Sequence, residues 1–308
     1  MSVPIIFFHQ GFEPYLAFTL WQAKRSNPRS AVWLLGDSTN DLSSIGVRHA
    51  RYRENPGRAD EFINIYQHMS GHELECERLC FERWFYLEAF LEREKINEFC
   101  FLDSDFFLFM DLEELRPAWA GFEMAGAPAY AFGWYGNREV VRRFCDFMLE
   151  KFRDGEQIAR WKEVFGGGRD LLPPDRILNV SDMLLWMMYI RNGHVSHLDL
   201  RIPRNGIVFD NWFEDGNGFR MRGGFKELKS QGGVFSGFYE RTGESVRFAG
   251  LHMGGKYGKR LGPFFTGWPL PLIRACCRSV YRRNLRRLLL IAAHYLTKPR
   301  PYLKANAA

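Results

Sequence analysis

The sequence predicts an α/β fold in which a mostly parallel central sheet is flanked by helices, with a separate basic amphipathic helix at the C-terminal end. Three observations predict it. Short, continuous apolar runs bounded by polar or turn residues recur at residues 3–8, 31–35 and 99–102, the pattern of strands buried on both faces. Between them lie stretches whose apolar residues repeat at the helical period. Residues 245–308 carry thirteen Lys and Arg and no Asp or Glu, leaving 29 basic groups against all 36 acidic ones in the first 244 residues. The net charge of +6 therefore belongs to the tail.

In chain order, the first run leads into a helical pattern over residues 14–27, opened by Pro14 and carrying Tyr15, Phe18 and Trp21. It ends at Asn27-Pro28, and the second run completes a β-α-β unit. Over residues 70–93, Leu79, Phe81, Trp84, Phe85, Leu87, Phe90 and Leu91 keep one face apolar. Ser70 and Glu73 form its capping box, or it starts nearer Glu75. This helix feeds directly into the third run. Residues 137–152 predict another amphipathic helix, with Val140, Val141, Phe144, Phe147 and Met148 inward. A breaker-rich stretch from Gly166 to Pro174 follows. Ser181 is the N-cap of a short, nearly all-apolar helix over 183–190, which must be buried and is closed by Asn192-Gly193. Residues 204–237, rich in glycine, asparagine and aromatics, predict irregular loops and short strands. From Leu270 onward Arg274, Arg278, Arg282 and Arg286 recur every four residues beside Ile273, Cys277, Val280, Leu288 and Leu289, a basic amphipathic helix. The expected division is a domain over 1–268 and a tail over 269–308.

A chain that is 46% hydrophobic and 16% aromatic is too apolar to be disordered. Cys76, Cys80, Cys100, Cys145, Cys276 and Cys277 show neither a Cys-x-x-Cys pair nor a zinc spacing, so buried free thiols in a reducing compartment are expected. The N-terminus lacks the basic start and long apolar stretch of a secretory signal. No run reaches the roughly 18 apolar residues that cross a bilayer. The expectation is a cytoplasmic protein, peripheral on the inner face of the cell membrane through its tail. Arginines beside aliphatic runs such as Leu288-Leu-Leu-Ile suit an anionic lipid surface better than the phosphates of nucleic acid, which is not an expected partner. The alternative for the tail is an ordinary helix packed on the domain.

Asp103 and Asp105 stand where the third run ends, the edge at which open α/β sheets build their sites. Residues i and i+2 of an extended segment project to one side, so both carboxylates can meet one hard cation. Apolar residues bracket the pair, so two uncompensated charges would be costly there, and a metal ion is the simplest compensation. An aspartate-nucleophile phosphatase motif, Asp-x-Asp-x-Thr or Asp-x-Asp-x-Val, fits poorly because residue 107 is Phe.

The order of features is Ile-Ile-Phe-Phe-His9-Gln10, Trp33-Leu-Leu-Gly36-Asp37, Arg83-Trp84, Phe101-Leu-Asp103-Ser-Asp105, Ser181-Asp182-Met183 and Leu251-His252-Met-Gly-Gly255-Lys256. Over residues 3–260 that order resembles the GT-A glycosyltransferases, which have a Rossmann-like nucleotide-binding fold and an Asp-x-Asp after a central strand. The resemblance implies a hexosyltransferase-type enzyme that moves a sugar from a nucleotide-sugar donor to a carbohydrate or lipid-linked acceptor in cell-surface polysaccharide synthesis. It also implies Mn²⁺ or Mg²⁺, with Asp105 a direct ligand, Asp103 on the metal or the donor ribose, and His252 a third ligand. The family's glycine three residues after the histidine matches Gly255. Its lysine six residues after does not, since residue 258 is Gly. The lysine on the diphosphate is therefore either Lys256 or Lys259, or the segment is a solvated basic turn.

His9 and Gln10 match the family's first nucleotide-contacting loop, with Gly36 and Asp37 ending the second run; His9 equally fits a structural histidine. Arg78 and Arg83, on the helix before the metal motif, face either the donor or solvent. Asp182 is either a first-turn capping carboxylate or, by the resemblance, the general base of an inverting enzyme. Asp210, Trp212, Glu214 and Asp215 are candidates for acceptor-sugar binding. The competing function is a non-catalytic carbohydrate- or nucleotide-sugar-binding protein that retains the fold.

Overall fold

Pro14 presets the first turn of a helix, and the apolar runs on either side of it pair as parallel strands. The computed structural model of the chain describes residues 2–127, 130–165, 179–210, 212–231, 233–254 and 266, with backbone alone at 130–132. The first half runs β1 (Ile5–Phe8), α1 (Pro14–Ser26), β2 (Val32–Gly36), β3 (Arg48–Arg51), α2 (Ala59–Ile65), α3 (Leu74–Arg93) and β4 (Glu98–Asp103). Next come β5 (Phe106–Leu108), α4 (Leu112–Leu115), β6 (Met124–Ala127), β7 (Tyr130–Asn137), α5 (Arg138–Arg153), α6 (Gly155–Phe165), α7 (Asp182–Arg191) and β8 (His197–Asp199). The last described portion holds β9 (Ile207–Asp210), β10 (Met221–Arg222), β11 (Phe225–Lys226), β12 (Lys229–Gln231), β13 (Val234–Tyr239) and β14 (Glu244–His252).

The main sheet has the order β3-β2-β1-β4-β7-β6-β8, and only β7 runs against the others. It is the mostly parallel sheet that the sequence predicts. Alternation along the strands divides the interior in two. Ile5 and Phe7 join Val32, Leu34, Cys100 and Leu102 in one core, with α1 and the second sheet. Ile6 and Phe8 join Leu35, Phe99 and Phe101 in the other, with α2, α3, α5 and α7. Both faces are thus covered, which is why these strands read as unbroken apolar runs. Trp84 anchors the second core, with ring centroids 5.0 Å from Phe101, 5.2 Å from Trp186 and 5.7 Å from Phe144.

A second sheet takes β9, β12 and most of β13 from the region where the sequence predicts short strands, and β5 and β14 from outside it. Its order is β12-β13-β14-β5, and β9 pairs in parallel with β14. The chain crosses between sheets at the turn Ser104-Asp105, where β4 ends and β5 begins.

Several boundaries differ from expectation. The cap of α3 is Glu73, and Ser70 instead donates from Oγ to Glu77 Oε2 at 3.0 Å and accepts from His72 N. Helix α7 is capped by Ser181 as predicted, its Oγ accepting from Leu184 N. It is buried along Leu185, Trp186 and Tyr189, while Met183, Leu184, Met187 and Met188 are only half-buried, so one side of this apolar helix packs less deeply. Cys100 and Cys145 are buried thiols, whereas Cys80 is half-buried and Cys76 lies with Leu74 and Glu75 on the exposed start of α3. No described helix is long and apolar enough to cross a membrane. The breaker-rich stretch 166–174, the tail 269–308 and the residues Gly255, Lys256 and Lys259 lie outside the described residues.

Candidate metal and donor site

The Asp-x-Asp turn is positioned from three sides. Register pairs Phe8 with Asp103, which sets the end of β1 beside the end of β4. From α1, Thr19 Oγ1 donates to Ser104 O at 2.7 Å and Tyr15 OH lies 3.4 Å from Ser104 Oγ. From the second sheet, His252 pairs with Phe106, and Met253 N donates to Asp105 O at 2.9 Å. Asp105 is therefore held by backbone as well as by packing.

These placements bring Asp103, Asp105 and His252 together, with one ligand atom of each within 4.8 Å of the others. Asp105 and His252 are buried, and His252 Nε2 lies 3.0 Å from Asp105 Oδ1. Among the described residues this is the one His, Cys, Asp and Glu cluster with such convergence. Two carboxylates and one imidazole form an oxygen-rich donor set that suits Mn²⁺ or Mg²⁺. Burial raises the pKa of Asp103, opposed by Arg83 and reinforced by the neighbouring Asp105 charge.

Arg83 connects this cluster to Asp182. Its Nη1 donates to Asp103 Oδ1 at 2.8 Å, while Nη2 and Nε donate to Asp182 Oδ2 at 2.6 and 3.2 Å. Trp84 Nε1 adds a third bond to the same oxygen at 3.0 Å. Burial alone would lower the guanidinium pKa, but the Asp182 and Asp103 carboxylates raise it, so Arg83 stays charged. Asp182 is thus a buried partner of the site as well as a first-turn residue of α7. Arg78 points elsewhere, pairing through Nε with Glu82 Oε1 at 2.7 Å.

The loop after β1 is held by Gly36 and Asp37 together with Thr39, Asn40 and His49, which belong to no motif in the sequence. Asn40 is fully buried, and its Nδ2 donates to His9 O at 2.8 Å and Gly11 O at 2.7 Å. Its Oδ1 accepts from Asp37 N at 2.9 Å and faces His49 Nε2 at 3.3 Å. Burial holds His49 below its ordinary range, so the ring is neutral, and the Nε2–H tautomer is the one that can donate here. Gly36 is small for this reason: a Cβ there would lie 2.1 Å from Asn40 Oδ1 and 2.7 Å from His49 Nε2. Asp37 Oδ2 accepts from Gly11 N at 2.6 Å, and Oδ1 from Thr39 N and Oγ1. Burial works against its charge, yet the bonds from Thr39 and Gly11 outweigh it and lower the pKa. Gly36 and Asp37 therefore shape the loop that carries His9 and Gln10. The signal for Asn40 in the sequence was only an asparagine in a turn.

Of the acidic residues in the 210–215 segment, Asp210 is buried against Lys226, with Nζ 2.9 Å from Oδ1. Burial, against the pull of Lys226, raises its pKa to about 6. Trp212 lies beside the cluster, its ring centroid 5.5 Å from that of His252.

No family model matches the sequence, and no curated protein matches it. Among solved structures, the chain is similar to mouse xyloside xylosyltransferase 1 in its apo form, at 9% identity and a TM-score of 0.44, over 69% of this chain and 88% of that one. It is also similar to the glycosyltransferase GlyE of Streptococcus pneumoniae, at 15% identity and a TM-score of 0.36, over 65% of this chain and 45% of that one. A third is the bifunctional glycosyltransferase WbbM in its apo form, at 11% identity and a TM-score of 0.41, over 70% and 40%. The chain spans less than half the length of the last two. At these values the likeness assigns no role to any residue, and the site rests on its own geometry. The solved structures named here are all glycosyltransferases, and the similarity to them is one of fold.

Proposed function

We propose that this chain is a divalent-metal-dependent glycosyltransferase that takes a nucleoside-diphosphate sugar as donor and a carbohydrate or lipid-linked hydroxyl as acceptor. The observation that carries the reading is the convergence of Asp103, Asp105 and His252 from two different sheets. Those three residues would hold Mn²⁺ or Mg²⁺, which would supply positive charge to offset the donor diphosphate and the charge of the departing nucleoside diphosphate.

The chain's own groups supply the rest. The loop carrying His9 and Gln10, tied down by Asn40 and Asp37, contacts the nucleoside. Arg83 keeps Asp103 and Asp182 at fixed separation by donating to both. Among the described residues the hydrogen bonds to the Asp182 carboxylate fall on Oδ2, and Oδ1 is assigned to a sugar hydroxyl, on the acceptor or the donor. Lys256 or Lys259 meets the diphosphate, and the basic tail rests on anionic lipid. The pathway is assembly of a cell-surface glycan.

The test is nucleoside diphosphate release across a donor panel with and without Mn²⁺, together with Mn²⁺ titration of the protein. Asp105→Asn and His252→Ala should each weaken Mn²⁺ by more than the roughly 10–100-fold that loss of an outer partner costs, and turnover should fall with it. Unchanged Mn²⁺ affinity in both variants would remove the metal site.

A further inference from the structure

Lys226 is the most deeply buried cation among the described residues, with a side chain 0% exposed. Its ammonium is fully occupied. Nζ lies 2.9 Å from Asp210 Oδ1, donates to Trp212 O at 2.5 Å, and donates to Asp215 O. The three acceptors belong to Asp210, Trp212 and Asp215, so these residues surround the ammonium with oxygen much as an oxygen-rich loop surrounds a metal cation. Burying this pair costs hydration, and such a pair is weak grounds for stability compared with apolar residues of equal volume. What it supplies is a fixed shape for the segment.

That shape touches one metal-site residue at several points. Asp210 stands in register with Leu251, one position before His252. Phe213 N donates to His252 O at 3.0 Å. The Trp212 ring packs on the imidazole, and the chain beyond leaves no room for a larger residue. A Cβ on Gly254 would lie 2.8 Å from Trp212 Cζ3 and 2.9 Å from His252 Cε1. The imidazole is therefore confined by Trp212, Gly254 and Asp105.

We propose that Lys226 and Asp210 are a positioning pair for His252: the ammonium gathers segment 210–215 so that Trp212 and Phe213 hold the imidazole toward Asp105. This rests on the metal reading above, and the experiment separates the two. The variants are Lys226→Met and the double variant Asp210→Asn/Lys226→Met, which removes both charges and so avoids stranding a buried carboxylate. Mn²⁺ affinity is read by electron paramagnetic resonance titration of the full chain, and backbone hydrogen exchange is read peptide by peptide.

The expected result is a roughly 10–100-fold loss of Mn²⁺ affinity in both variants, the size seen for partners that orient a ligand. Exchange should rise over 210–215 and 251–253 with the β1–β4 region unchanged. In Lys226→Ala, ethylammonium should restore Mn²⁺ binding by refilling the ammonium position. A folded double variant that binds Mn²⁺ like the parent overturns the proposal. If the parent itself binds no Mn²⁺, the metal reading falls. Exchange then decides the positioning role alone, and unchanged exchange over 251–253 sinks it.

Discussion

Glu77 offers a sharp test of the electrostatics around α3. Its carboxyl is buried and accepts one hydrogen bond, from Ser70 Oγ at 3.0 Å. Burial first, and then the nearby Asp182 charge, push its pKa from an ordinary 4.5 up to about 7, against the smaller pull of Ser70 and Arg83. A carboxyl raised on folding binds more protons folded than unfolded between those two values. Stability from this group is therefore intact below about pH 4.5 and is lost as pH rises through about 7. The interval is worth about 3 kcal/mol near pH 8 and under about 1 kcal/mol near pH 5. Glu77→Gln keeps an acceptor for Ser70 and cannot ionise. Urea unfolding should show the variant about 3 kcal/mol more stable than the parent near pH 8, with most of that advantage gone near pH 5. An advantage that does not change with pH would refute the argument, because nothing but ionisation distinguishes the two conditions in the difference.

Two further outcomes test the frame of the site. Arg83→Met leaves buried Asp182 without its guanidinium and should cost about 3–5 kcal/mol in urea unfolding, with Asp182→Asn recovering part of the loss; a variant as stable as the parent would mean that the bridge does not hold. Gly36→Ala drives a methyl into Asn40 and His49 and should cost about 1–3 kcal/mol, with faster amide exchange at residues 9–11; unaffected exchange there would remove Asn40 as the loop's anchor.

Some of this was legible in the sequence because the physics is local. Strands buried on both faces must be continuously apolar, so β1, β2 and β4 stood out, and Asp103 with Asp105 stood out as charges at the end of one of them. Strand β3 gave no such signal: its residues are Arg48, His49, Ala50 and Arg51, and only Ala50 is buried at this edge of the sheet. Arg78 and Arg83 could not be ranked from composition. Five residues apart, they point roughly 140° from each other around a helix, which sends one to the site and the other to Glu82. Nothing near Lys226 in the chain marks it as buried, since its partners are backbone carbonyls and a carboxylate some fifteen residues earlier. Such a role depends on tertiary placement alone.

The crossing of the chain from one sheet to the other between β4 and β5 has a kinetic consequence. Asp105 and His252 are separated by nearly half the chain, and Asp182 enters from a third stretch. Contacts this distant in sequence close late and slowly during folding, after local helices and hairpins. Any nascent chain that ends before β14 carries the aspartates without their histidine, so on the proposed metal reading the three ligands meet only when both sheets have docked. Metal uptake by this protein would then report the completion of folding itself, and refolding followed by Mn²⁺ binding should lag behind the return of helical signal.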